Sequence, residues 1–335
     1  MVLPGEAIES LRMSNDDEEA CARADGPGRE HRADAPCAGS VLRAALAAAI
    51  AEAQSSIALA DQADRRREAV RSTRRALKDV RALAALARPL EAGAHASGVD
   101  GVVEFASKAN QLLGPLRDRD ALVRSIQRLS DRFADGEPRR VVRTVLLATL
   151  VFADHDRVES DAWSDGSRQR ARRAIAAMAL AARGFTDAPF DARHAVRTLV
   201  ETHRRAVITL REALDASDAG SGDLARLHDG RKLASLLALG LKPFADDVPD
   251  AARRARLRAR RLAAALGEDR DLALLDVEMA RVRAQLGGSP LVASIDDALR
   301  LARLEASARM EDAARSFLRL GRRRVARAIE GFLLD

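Results

Sequence analysis

The chain has 335 residues, enough for two cores of ordinary domain size, and carries a net charge of +6. It is 47% hydrophobic and 32% charged but only 3% aromatic, with no tyrosine and two cysteines. Such a balance argues against a strand-rich fold, a disulfide scaffold or an aromatic base-stacking platform, and it predicts an all-α protein.

Residues 1–39 hold nine acids against four arginines, a local charge of −5, which leaves +11 on the remainder. Scattered Gly and Pro mark this stretch as a disordered acidic tail able to shield a basic body, with Met13 an alternative start. Cys21 and Cys37 both lie in it, with fifteen residues between them and no His/Cys cluster around them. Neither a disulfide framework nor a zinc site is expected, and a reducing cytoplasm is. No basic segment leads into an apolar core, so no signal peptide is expected. The longest apolar run, Val145–Ala153, is too short to span a bilayer, and no membrane insertion is expected.

From Ser40 onward a helical period dominates. Helices are predicted at 40–61, 64–92, 98–113, 115–133, 138–156 and 161–183. A second series follows at 190–217, 223–242, 248–266, 269–286, 290–320 and 322–333. Gly114-Pro115, Gly136 with Pro138, Gly267 and Gly287-Gly288 with Pro290 supply breaks. Asp187–Pro189 divides the body into halves, 40–188 and 189–335.

The segment 67–88 is the most informative. As a helix it stacks Arg67, Arg71, Arg74, Lys78, Arg81 and Arg88 along one face, while Ala69, Thr73, Ala76, Leu77, Val80, Leu83 and Ala84 form an apolar face. Glu68, Asp79 and Glu91 fall off the basic stripe. Like charges at this spacing oppose helix formation by roughly 0.2–0.5 kcal/mol per pair, so an uninterrupted stripe points to an anionic ligand. In the helix predicted at 115–133, Arg117, Arg124 and Arg128 share a face, and Arg117 with Arg124 would form a second wall.

The two halves echo each other. Arg71-Ser72-Thr73-Arg74-Arg75-Ala76-Leu77-Lys78 precedes Leu116-Arg117-Asp118-Arg119-Asp120. In the same order, Leu227-His228-Asp229-Gly230-Arg231-Lys232-Leu233 precedes Leu266-Gly267-Glu268-Asp269-Arg270-Asp271-Leu272. An internal duplication predicts two four-helix-bundle-like halves of long antiparallel helices related by a pseudo-twofold, with their basic helices face to face.

This constellation resembles the CHAD family, the conserved histidine α-helical domain. Its pattern is His-x-x-Arg-[Lys/Val]-x-x-[Lys/Arg]-x-x-Arg on a helix in each half. Arg74, Arg75, Lys78 and Arg81 fit the first copy, with Arg71 where the family has histidine. His228, Arg231 and Lys232 fit the second, where Ser235 and Ala238 replace later cations. Residues 116–120 resemble the family's Leu-Arg-Asp-x-Asp, and residues 266–272 its Leu-Gly-[Asp/Glu]-x-x-Asp-Leu. The resemblance covers about residues 40–335. It implies a pair of four-helix bundles and non-enzymatic binding of inorganic polyphosphate in the groove between them. No Glu-x-Glu-x-Lys of an accompanying triphosphate-tunnel domain is present. Arg71, Arg74, Arg75, Lys78, Arg81, Arg117, Arg124, His228, Arg231 and Lys232 would carry the binding, in the cytoplasm and on polyphosphate granules.

Polyphosphate is a flexible chain of charge with no bases to read, so a long groove of one sign suits it, and its affinity should fall with salt. A nucleic-acid-binding protein is the alternative, resting on net charge alone. A phosphohydrolase lacks any Gly-rich phosphate loop, GxSxG, HExxH or acidic Mg²⁺ cluster, and neither a cofactor nor a metal is expected. Asp118, Asp120, Asp269 and Asp271 read as helix caps or braces for arginines. The arginines at 253–261 wrap around their helix and read as solvated surface, with an auxiliary polyanion contact as the second reading.

Overall fold

The computed structural model describes residues 38–62, 64–87, 94–148, 164–183, 191–218 and 224–334. The acidic tail up to residue 37, both cysteines, Arg88, Trp163 and the expected boundary at 187–189 lie outside them. The described residues form eleven α-helices and no strand, so the chain is all-α. They are α1 (Ala38–Leu59), α2 (Arg66–Leu86), α3 (Ala94–Leu112), α4 (Gly114–Ser130), α5 (Glu137–Leu147) and α6 (Asp165–Arg183), followed by α7 (Ala192–Asp218), α8 (Leu224–Gly240), α9 (Asp250–Leu286), α10 (Pro290–Leu318) and α11 (Arg322–Leu334).

One predicted break is absent. The helices expected at 248–266 and 269–286 are a single 37-residue helix, α9. Glycine in a helix interior costs about 1 kcal/mol relative to alanine, which weakens a helix without ending it. Gly267 faces a neighbour: a Cβ at this position would lie 3.1 Å from Arg231 Nη2, which would have to shift slightly. Helix α9 stops at Gly287, whose φ of +60° favours glycine. Ser289 then opens α10 by accepting a hydrogen bond from the Val292 amide at 3.3 Å, with Pro290 in the first turn. Asp269 and Asp271 are therefore interior to α9 and cap nothing.

Helix α1 also departs from expectation, because by length and composition it is long and apolar enough to cross a membrane. In this fold Leu42, Leu46, Ile50, Ala53 and Ile57 of α1 are buried in the larger core. Helix α2 is the hub: it packs against α1, α3, α4, α7 and α8. Its apolar face is buried along its length, and the Thr73 hydroxyl donates to the Ala69 carbonyl at 2.8 Å, so that face leaves no polar group unmatched there.

Two hydrophobic cores result. The larger joins α1, α2, α3, α6, α7, α8 and α11 with the first part of α9 and the end of α10. The smaller joins α4, α5, the second part of α9 and most of α10. Each draws residues from both sides of 187–189. Helix α9 runs through both, contributing Ala252–Leu266 to the larger and Leu272–Val282 to the smaller. Likewise α4 places Leu116 in the larger and Leu122–Leu129 in the smaller. The polar segments 267–271 and 117–120 thus fall at the seam between the cores, where apolar packing changes hands and charged side chains are tolerated.

Candidate anion-binding cleft

Four helices converge at this seam. Helices α2 and α8 pack on each other, α4 packs on α2, and α9 packs on both α4 and α8. The spacing of the α2 stripe turns Arg74 and Lys78 toward the seam. Arg117 enters from the start of α4, Arg231 from α8, and Arg270 from the middle of α9.

Arg117 is the fixed point. It donates to Asp118 Oδ1 and to Asp271 Oδ1, both at 2.7 Å, and Ser125 on α4 donates to the Asp271 carbonyl at 3.4 Å. Asp271 is 8% exposed, so its charge needs this partner. Burial opposes the Arg117 charge, but the two carboxylates outweigh it and hold the guanidinium more firmly protonated than usual. The Arg-Asp motif of the first half is thereby tied to the Gly-Glu-x-x-Asp motif of the second.

Around that brace, cation faces cation. Burial, then Arg117, pushes Arg74 down to about 10, with Arg270 adding to the effect and Asp118 opposing it. Arg74 is held in place by donating to the Asn110 carbonyl at the end of α3. Lys78 is pushed down to about 8, first by burial and then by Arg231, Arg74, Arg117 and Arg81. Solvent reaches much of Lys78, although protein atoms crowd part of the side chain. Arg231 is lowered by burial, Arg117 and Arg270, against the pull of Asp271, and its guanidinium lies over Gly267. Neighbouring positive charges thus work against the charged forms of Arg74, Lys78 and Arg231, the arrangement a bound anion reverses.

The remaining sequence-predicted residues sit at graded distances from this centre. Arg81 is exposed and acts on Lys78. Arg124 is half-buried and lowered by burial and by Arg71, with Asp271 and Asp120 opposing, so Arg71 and Arg124 form an adjoining group. His228 is exposed and pushed below its ordinary value by burial, Lys232, Arg270 and Arg231, with Asp229 opposing. Lys232 is exposed and pairs with Asp229 at 2.9 Å. Arg75 is exposed and is not among the main cations acting on Arg74 or Lys78.

The stripe is not free of acids, contrary to expectation. Arg71 meets Glu68 at 3.4 Å, and Arg67 meets Asp120 at 3.1 Å. Glu68 lies one turn before Arg71, and Asp120 arrives from another helix. Asp79 turns away to Lys242 at 2.5 Å. The outer end of the stripe is thus partly neutralised and the inner end is not. Sequence reasoning missed Arg270, although the internal repeat aligns it with Arg119. Among the described residues no group of three or more His, Cys, Asp or Glu could hold a metal ion. No protein-family model, curated protein or solved structure matches the chain.

Proposed function

We propose that this chain is a CHAD-like protein that binds inorganic polyphosphate in the cleft between α2 and α8 and catalyses no reaction on it. The observation that carries the reading is the convergence of Arg74, Lys78, Arg117, Arg231 and Arg270 from four helices, with like charges depressing one another. A chain of phosphates supplies one negative charge per unit and needs no side chain to read it. Arginine forks suit its oxygens, and Lys78 adds a point charge beside them. Partial burial of Arg74, Arg117 and Arg231 makes a phosphate contact there stronger than the same contact on an open surface.

The two halves are read as pseudo-twofold-related bundles from one duplicated unit. In support, the contacts α1·α2, α2·α3, α1·α6, α3·α6 and α4·α5 have counterparts in α7·α8, α8·α9, α7·α11, α9·α11 and α9·α10. Gly230, unusual for a basic helix, fits this packing, since a Cβ there would lie 2.8 Å from Leu210 Cδ2 of α7.

Competition tests the ligand. Long-chain polyphosphate is expected to displace a fluorescent polyphosphate probe far better than an equal charge of duplex DNA or heparin. Equal potency of all three would replace the reading with generic polyanion or nucleic-acid binding. Release of orthophosphate by the purified protein with divalent metal would overturn its non-enzymatic part.

A further inference from the structure

The arginines at the start of α9 have a counterpart across the fold. Ala251, Arg254 and Arg258 of α9 face Arg319, Leu320, Gly321, Arg324 and Val325 at the α10–α11 corner, around a cavity of about 290 Å³. Arg324 and Gly321 also border an open hollow completed by Arg322, Arg323 and Arg327. No carboxylate lines either space among the described residues. Asp250, one residue before Ala251, meets Arg254 only at 3.9 Å.

Three features make this more than solvated surface. Arg258 is pre-positioned, donating to the Ser316 carbonyl at 2.7 Å. Arg322, Arg323 and Arg324 occupy the first turn of α11, which has no acid. Three cations there oppose the positive end of the helix dipole instead of complementing it, an arrangement that an anion relieves. The cavity and the hollow share Arg324, so an anion longer than one phosphate could run from one into the other. The non-arginine lining is Ala251, Leu320, Gly321 and Val325, which offers no aromatic face and no side-chain acceptor to read a base or a sugar. The chemistry therefore suits a bare oxyanion chain held by guanidinium forks.

We infer that the α9–α11 corner is a second, separate binding site for a short inorganic oligophosphate. It does not continue the cleft: Arg258 precedes Gly267 by nine residues, about half a revolution around α9 and about 14 Å along it. The two sites lie on opposite faces of one helix. The site stands on its own lining residues and does not rest on the cleft's ligand.

Isothermal titration of the full chain with inorganic tripolyphosphate tests this, using Arg74→Ala/Lys78→Ala to disable the cleft. That variant is expected to retain one tripolyphosphate site, and adding Arg319→Ala/Arg324→Ala should weaken it by about tenfold or more with helicity unchanged. The single charge reversal Arg324→Glu, at an exposed first-turn position, should weaken it similarly. Unaltered binding in both corner variants, or no binding left once the cleft is disabled, would overturn the second site. If the cleft reading alone is wrong, the cleft variant will match the parent while the corner variants still lose their site.

Discussion

Along the α9–α10 hairpin, arginines meet carboxylates. Arg283 lies 2.8 Å from Asp296 and 3.5 Å from Asp276, Arg303 lies 2.6 Å from Asp276, and Arg309 bridges Glu268 at 3.1 Å and Glu305 at 3.6 Å. In the cleft, between the same α9 and its neighbours, Arg74, Lys78 and Arg231 meet chiefly other cations. The residue type is the same and the chain is arginine-rich throughout. What differs is the company each guanidinium keeps. Exposed ion pairs such as those on the hairpin contribute at most about 1 kcal/mol each and serve mainly solubility and local order. Cations gathered without matching acids cost stability in the free protein, a cost that a bound anion would offset.

The largest effect that would sharpen this contrast is on stability. Arg117→Met leaves Asp271 buried without its partner and is expected to cost about 3 kcal/mol in chemical denaturation. Arg303→Met on the hairpin should cost less than about 1 kcal/mol. Asp271→Asn should recover part of the Arg117→Met loss, and a Met variant as stable as the parent would remove Arg117 as the brace of the seam.

A second contrast lies in pH. Lys78 loses its proton at about 8 in the free cleft, and a bound polyanion raises that value. Below about pH 7 Lys78 is charged with or without ligand and adds no slope to the affinity. Above about 8 the complex holds a proton that the free protein lacks, and affinity falls by up to about tenfold per pH unit until the raised value is passed. Lys78→Arg should flatten the profile measured by titration between about pH 7 and 9.5. An unchanged profile in that variant would assign the dependence to another group.

The smallest effect is thermal. Lowering Lys78 from 10.5 to about 8 means that its charge disfavours the fold, fully below pH 8 and no longer above 10.5. Lys78→Met is therefore expected to raise Tm at pH 7 by about 2 °C without ligand, and the gain should vanish above pH 10.5. A lower Tm at pH 7 would mean that Lys78 supports the fold instead of straining it.

Much of this was legible in the sequence. Helix periodicity located most of the elements, and the echo of residues 71–78 in residues 227–233 pointed to two helices that do pack together, with Arg231 acting on Lys78. Pairings across long separations were not legible: Arg117 finds Asp271 154 residues away, and Arg67 finds Asp120 on another helix. Nothing local distinguishes Asp271, which braces an arginine inside a helix, from an aspartate that caps one. Gly267 misled for a related reason. Its lack of a side chain answers a guanidinium from α8, and no reading of α9 alone contains that neighbour.

The most direct test removes two positive charges in each of two places. Arg74→Ala/Lys78→Ala empties the cleft, and Arg283→Ala/Arg303→Ala empties the hairpin, with the same change in net charge. Polyphosphate affinity, measured at one ionic strength, should drop by about a hundredfold for the cleft pair and stay within about twofold for the hairpin pair. Equal losses in both, or no loss in either, would contradict the cleft as the binding site.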